Sequence, residues 1–205
     1  MSNGLRVCIS TGHYKASKGA YNKKYDLHEY DVCKRISFEL YNSLKISEEN
    51  NIGEIIFVEN KTLPEKRDEI NRIKPDIIIE NHMNSSWIKS HSGVLTIYKE
   101  GCHESLLLAA QVHERLVKDL ISKDLCIYND NICQGWRKWK QFFFFDRIEA
   151  FSEILQCEAP RILTEIDFLS NPKIAEMIIK NDNFIKTAAK AIGNGIKAYA
   201  KNKKE

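Results

Sequence analysis

The sequence predicts an α/β fold in one domain, a mainly parallel twisted sheet with helices on both faces, and three observations predict it. Unbroken apolar runs such as Ile55-Ile56-Phe57-Val58 and Ile77-Ile78-Ile79 suit strands covered on both sides, which is the condition of strands in a parallel sheet. Segments of helical period separate these runs, so strand and helix alternate as they do in βαβ units. The 205 residues fit one ordinary domain, long enough to bury its apolar surface without disulfides or a structural metal.

The first strand is expected near Leu5 to Thr11 and the first helix near Leu27 to Lys45, where Val32, Ile36, Leu40 and Leu44 form one stripe. A strand near Glu54 to Glu59, a helix near Leu63 to Ile73 and a strand near Asp76 to Asn81 complete a βαβαβ plan. After Gly93, Val94 to Tyr98 reads as a further strand, followed by a helix from about His103 to Ser122 with Leu106, Ala110, Leu116, Val117 and Leu120 apolar. From Cys126 to Arg147 neither period fits, and this stretch is expected to be an irregular excursion. A short helix near Ala150 to Gln156, a strand from Arg161 to Ile166 introduced by Pro160, and two closing helices follow. The last helix, from about Asn183, carries Phe184, Ala188, Ile192, Gly195 and Tyr199 on one side and runs into a basic tail at about 197–205. No internal repeat, linker or low-complexity stretch divides residues 1–205.

Composition excludes several classes. A net charge of +3 is too small to argue for nucleic acid. The longest apolar stretches fall far short of the ~20 residues that cross a bilayer, so no membrane insertion is expected. The amino terminus reaches its first strand at Leu5 without a basic-then-apolar leader or a small-residue cleavage site, so no Sec-type export address is expected. Six cysteines (Cys8, Cys33, Cys102, Cys126, Cys133, Cys157) lack a CxxC pair and read as reduced core thiols. Two alternatives stay open: a small loop bridged by Cys126 and Cys133, and a Cys8 lying near a metal.

The residues that carry chemistry begin with His13 in Ser10-Thr11-Gly12-His13 and His82 in Glu80-Asn81-His82-Met83-Asn84. Each follows an apolar run, and Glu29 lies between them at the opening of the first helix. A parallel α/β sheet gathers reactive groups at the carboxyl ends of its strands, so residues distant in sequence can converge on one ion there. A catalytic zinc takes three protein ligands and keeps a position for water, which His13, Glu29 and His82 would satisfy. Taken singly, each histidine is better read as a surface or hydrogen-bonded residue; their joint placement points to a metal. His28, beside Glu29, stays open as a ligand. Glu165, at the end of the last apolar strand, is the candidate carboxylate to move protons beside that metal; otherwise it is a solvated strand-end glutamate. Glu80 is either the group that hydrogen-bonds a metal-binding histidine and fixes its tautomer or a side chain on the opposite side of its strand. Trp136 and Trp139 flank Arg137 and Lys138, and aromatic faces with cations suit a glycan bearing carboxylates. Phe142 to Phe145 suit core or interface packing better than substrate contact. His91, His103 and His113 receive no functional role, and His113 reads as a hydrogen-bonded residue at the edge of its helix stripe.

Over nearly its whole length the chain resembles the zinc-dependent N-acetylmuramoyl-L-alanine amidases of the amidase-3 type, which cut peptidoglycan. The resemblance rests on Gly12-His13 after the first strand, Glu29 opening the first helix, Arg67 and Asn71 in the Leu63-to-Asn71 segment, His82-x-Asn84, Gly93 before a strand, and above all Leu163-x-Glu165-x-x-Phe168-Leu169-Ser170-Asn171. It implies that His13, Glu29 and His82 hold one zinc ion, that Glu165 is the catalytic carboxylate, and that Asn84 is among the substrate contacts. It also implies a reaction: hydrolysis of the amide between the lactyl group of N-acetylmuramic acid and the L-alanine of the stem peptide. Three positions depart from the pattern. Glu80 stands where a small polar residue is usual, Asp167 where glycine is common, and Ser10-Thr11 where Asp-Pro precedes Gly-His. A bare catalytic domain of this kind looks like a phage or prophage endolysin, made in the cytoplasm and released to the wall through a holin, and a bacterial enzyme released at lysis or by a non-standard route would look the same. The rival readings are a zinc peptidase or other amidohydrolase on a related sheet, and a wall-binding protein without activity. The intact His13, Glu29, His82 and Glu165 set argues against the latter.

Overall fold

The computed structural model describes residues 4–45, 51–99, 101–121, 131–134 and 157–203. Its centre is a six-stranded sheet built from β1 (Leu5–Thr11), β4 (Ile52–Val58), β5 (Ile77–Asn84), β6 (Leu95–Tyr98), β7 (Asn131–Gln134) and β8 (Arg161–Phe168). A separate two-stranded hairpin is formed by β2 (Tyr21–Asn22) and β3 (Leu27–His28). Strand order in the sheet is β4-β1-β5-β8-β6-β7. The four strands from β4 to β8 run parallel, whereas β6 pairs antiparallel with β8 and parallel with β7, so the last two strands run against the rest. The sheet is mainly parallel, as the buried apolar runs require. The helices are α1 (Glu29–Lys45), α2 (Leu63–Ile73), α3 (His103–Ile121), α4 (Pro172–Lys180) and α5 (Asn183–Asn202), and among the described residues none is long and apolar enough to cross a membrane.

The period of two along each strand sorts side chains between two cores. Val7, Ile9, Ile77, Ile79, Ile162 and Ile166 enter the larger one, with Ile36 and Leu40 of α1, Leu116 of α3, Ile178 of α4 and Ile192 of α5. Cys8, Val58, Ile78 and Cys157 face the other way and meet Ile70 of α2, with Leu63 and Ile73 beside it. Helix α2 therefore covers one face and the others cover the opposite one. Glu65 closes the start of α2 by accepting the Thr62 N–H at 2.9 Å and the Thr62 hydroxyl at 2.7 Å, a local reason for the helix to begin there. Asn171 caps α4 by accepting the Lys173 N–H at 2.9 Å.

Five elements differ from expectation. Leu27–His28 is a strand, because Asn22 and Leu27 pair across the hairpin and Tyr21 stacks on His28. Helix α1 consequently starts at Glu29, where the Ala20 and Lys18 carbonyls take the Glu29 and Tyr30 N–H groups at 2.9 and 3.0 Å, partners that a helix start otherwise lacks. Strands β5 and β8 run on to Asn84 and Phe168, so His82 lies within its strand rather than after it and Glu165 lies well inside its strand rather than at the end. Polar side chains there hid the continuation of the ladder. Asn131–Gln134, inside the expected excursion, is a strand because β6 supplies its partner, which four residues cannot announce by periodicity. The remainder of that excursion and the short helix near 150–156 lie outside the described residues. Cys8, Cys33 and Cys157 are buried free thiols and Cys102 is a partly exposed one, and Cys8 lies in the core under α2.

Helices α3 and α5 meet closely at Gly195, where an added Cβ would lie 2.6 Å from the Val112 Cα. Backbone cannot yield as a side-chain tip can, so Gly195→Ala should destabilise the chain by ~1–3 kcal/mol, read as a lower melting temperature with unchanged metal uptake.

Candidate metal centre

The site forms where β1 and β5 end. Beyond Thr11 the ladder continues one step, with the Gly12 N–H donating to the Asn81 carbonyl at 2.9 Å. A Cβ on Gly12 would sit 2.7 Å from both that oxygen and the His82 ring, so only glycine lets β1 approach so near. His13 then adopts φ +60°, a left-handed conformation costing a non-glycine residue about 1 kcal/mol. That turn directs its imidazole at Glu29, with Nε2 3.0 Å from Glu29 Oε2. Gly19, at φ +73°, presses on the same pair from the hairpin side, and a Cβ there would collide with Glu29 Oε2 and the His13 ring.

Glu29 is the hub. Its Oε1 lies 2.9 Å from His82 Nδ1 and accepts the Met83 N–H at 3.1 Å, while Oε2 accepts the Ala20 N–H at 2.8 Å. One nitrogen from each histidine and one Glu29 oxygen all lie within 4.8 Å of one another. Two imidazole nitrogens and a carboxylate oxygen, brought together at one end of the sheet, could hold a metal ion, and this donor set fits zinc. A second observation agrees. Glu165 is 3% exposed and its Oε2 has no hydrogen-bond partner among the described residues, the condition of an oxygen meant for a group that comes and goes. It stands beside the donors, since Glu165 on β8 is the registered partner of His82 on β5 and neighbouring strands run only about 4.8 Å apart.

Electrostatics separate the acids by role. Burial alone would raise the Glu29 carboxyl, but the hydrogen bonds to His13 and His82 hold it well below the carboxylate range. Burial would lower His82, yet its bonds to Glu29 and Glu80 push it up to about 10. Glu80 is likewise raised by burial but drawn down to about 2 by Lys66 and His82. Glu165 alone goes up, to about 8: burial dominates, His82 opposes it, and Glu29 and Glu80 reinforce it. Acids driven in opposite directions within one cleft are what acid–base chemistry requires.

Behind the donors lies a second layer. Glu80 is two residues before His82 on β5 and therefore on the same face, and its Oε1 is 2.9 Å from His82 Nε2. Ser10, its registered neighbour on β1, donates its hydroxyl to Glu80 Oε2 at 2.7 Å. Ser10 and Glu80, registered neighbours on β1 and β5, thus touch one another. Lys66 of α2, fully buried, lies 3.4 Å from the same Oε2 and donates to the Thr11 carbonyl at 2.6 Å.

The structure therefore brings His13, Glu29, His82, Glu80 and Glu165 together. His28 stands apart, its ring stacked on Tyr21 at 4.4 Å. Asn84, at the end of β5, is buried; its Oδ1 accepts the Ser85 N–H at 2.7 Å and its Nδ2 has no partner among the described residues. Asp167 holds the following loop, accepting from the Ser92 hydroxyl and the Gly93 N–H, both at 3.2 Å. Trp136, Arg137, Trp139 and Phe142 to Phe145 lie outside the described residues. His113 is hydrogen-bonded to Thr96 Oγ1 at 3.0 Å. Sequence reasoning missed Gly19, Ser10 and Lys66. A signal for Lys66 existed: it occupies the apolar stripe of α2 formed by Leu63, Ile70 and Ile73.

Comparison with known proteins agrees with this architecture. Residues 7–198 match the family model described as N-acetylmuramoyl-L-alanine amidase. No curated protein matches the chain in sequence. Among solved structures, the N-acetylmuramoyl-L-alanine amidase from Clostridium difficile 630 is similar at a TM-score of 0.80 and 22% identity, over 98% of this chain and 100% of that one. The catalytic domain of CwlV, an N-acetylmuramoyl-L-alanine amidase from Bacillus (Paenibacillus) polymyxa, gives 0.73 and 20%, over 95% and 97%. The catalytic domain of the CD27L endolysin targeting Clostridia difficile gives 0.67 and 17%, over 94% and 96%. At such identities these likenesses establish the fold.

Proposed function

From the premise that the chain belongs to the N-acetylmuramoyl-L-alanine amidase family, whose reaction is amide hydrolysis in peptidoglycan, we propose that it is a zinc-dependent amidase cutting between the lactyl group of N-acetylmuramic acid and L-alanine. The observation that carries this reading is Glu29 bonded to both His13 and His82, with Glu165 registered beside His82. His13 Nε2, Glu29 and His82 Nδ1 would hold the ion. Bound there, zinc would polarise the scissile carbonyl and acidify the attacking water. Glu165 receives the proton of that water and delivers it to the departing amine nitrogen. Glu80 faces His82 Nε2 and fixes the tautomer that leaves Nδ1 as the donor. Asn84, Trp136, Arg137 and Trp139 are the proposed contacts to the glycan and stem peptide. The site of action is the cell wall.

Purified sacculi test the reading. Zinc-loaded protein should release material carrying new amino-terminal L-alanine, and chelation should stop it. A new amino terminus inside the stem would instead identify a peptidase, and bound zinc without product would identify a wall-binding protein.

A further inference from the structure

Lys66 has no place in the chemistry above, yet it is the one lysine among the described residues that is fully buried. A lysine is almost never sealed from water unless paired, and this one is held at two points that lead in different directions. Its Nζ donates to the Thr11 carbonyl at 2.6 Å. Thr11 is the last residue of β1, and Gly12 and the left-handed His13 follow at once. The same Nζ stands 3.4 Å from Glu80 Oε2, while the other oxygen of that carboxylate meets His82 Nε2 at 2.9 Å.

We propose that Lys66 is a positioning residue for metal capture, one ammonium that ties the strand end carrying His13 to the carboxylate that orients His82. The inference rests on the reading that His13, Glu29 and His82 hold the cation. Two features of the packing support it. Helix α2 is anchored at its start by the Thr62–Glu65 box and along its length by Ile70 in the smaller core, so Lys66 projects from a fixed base. Ser10 holds the same Glu80 oxygen from β1 at 2.7 Å, so the carboxylate is fixed from two strands and one helix. A carboxylate placed behind an imidazole sets ring orientation and donor strength; here its own position depends on a cation that also grips the neighbouring arm.

The test uses the full chain and zinc alone, with affinity read by competition against a chromophoric chelator and site geometry read from the absorption of the cobalt(II)-loaded protein. Lys66→Met keeps the aliphatic stem against the core and removes the ammonium. The double variant Lys66→Met/Glu80→Gln removes both charges, leaves an amide oxygen facing His82, and keeps the experiment decisive if the single variant does not fold. Zinc affinity should fall roughly 10- to 100-fold in the double variant, with circular dichroism unchanged and an altered cobalt spectrum. Glu80→Gln alone, which retains the grip on Thr11, should fall less. A folded double variant whose zinc affinity stays within about twofold of the parent would overturn the role of Lys66, since outer groups of this kind otherwise count for tenfold or more. A parent chain that binds no zinc overturns the metal centre itself, and shows it before any substitution is made.

Discussion

Glu165→Gln is expected to lower kcat on sacculi by roughly 10²- to 10⁴-fold, the contribution of a positioned proton carrier, while zinc content stays that of the parent. Glutamine keeps the volume and an acceptor oxygen but cannot take a proton from water or return one to nitrogen. The substitution is also gentle on the fold. Glu165 is 3% exposed, and burial pushes its carboxyl up to about 8, so a neutral side chain suits the position. A second consequence follows from that shift. Between the ordinary value of 4.5 and about 8, the folded metal-free chain keeps a proton here that the unfolded chain releases, so stability falls as pH rises through this window. Glu165→Gln should remove that part of the slope in denaturant titrations. Full activity in the variant would remove Glu165 from the reaction.

Glu29→Gln should do still more damage to the metal. The carboxylate serves four partners: both imidazoles, the Ala20 N–H and the Met83 N–H. An amide offers one acceptor oxygen and turns a donor toward the rest. Whichever way it is placed, one main-chain N–H then confronts an NH₂ group, at a cost of ~1–3 kcal/mol. The proposed zinc set would lose its one anionic donor, and zinc affinity should drop by more than the ~10- to 100-fold typical of outer partners. Elemental analysis after gel filtration should find little zinc in the variant, and sacculi should remain intact. Stoichiometric zinc in Glu29→Gln would exclude Glu29 as a ligand.

The strands could be read from the sequence wherever apolar runs were unbroken, because burial on both faces leaves that mark. Their polar ends could not. Residues from Glu80 to Asn84 and from Glu165 to Phe168 carry charges and amides, yet they remain in the sheet because parallel neighbours complete their ladders. The candidate donors His13, Glu29 and His82 were legible as residue types at strand and helix ends. Their convergence depends on the β2–β3 hairpin, two short strands with no periodicity to detect, locked to the end of β8 by the Asn22 amide on the Leu169 carbonyl at 2.9 Å. Lys66 was overlooked because lysine in a first helical turn looks solvent-facing, and only the spacing to Leu63, Ile70 and Ile73 marks its inward position. Glu80 left two orientations open, and its side chain lies on the His82 side of the strand.

The β8 strand has hydrogen-bonded neighbours along both borders, with Glu165 level with His82 on one side and Leu95 on the other. A carboxylate fixed between two strands does not travel; whatever it acts on must be brought to it. Segments that leave the sheet, such as the turn carrying Trp87, a residue 79% exposed, can therefore change without disturbing the position of Glu165.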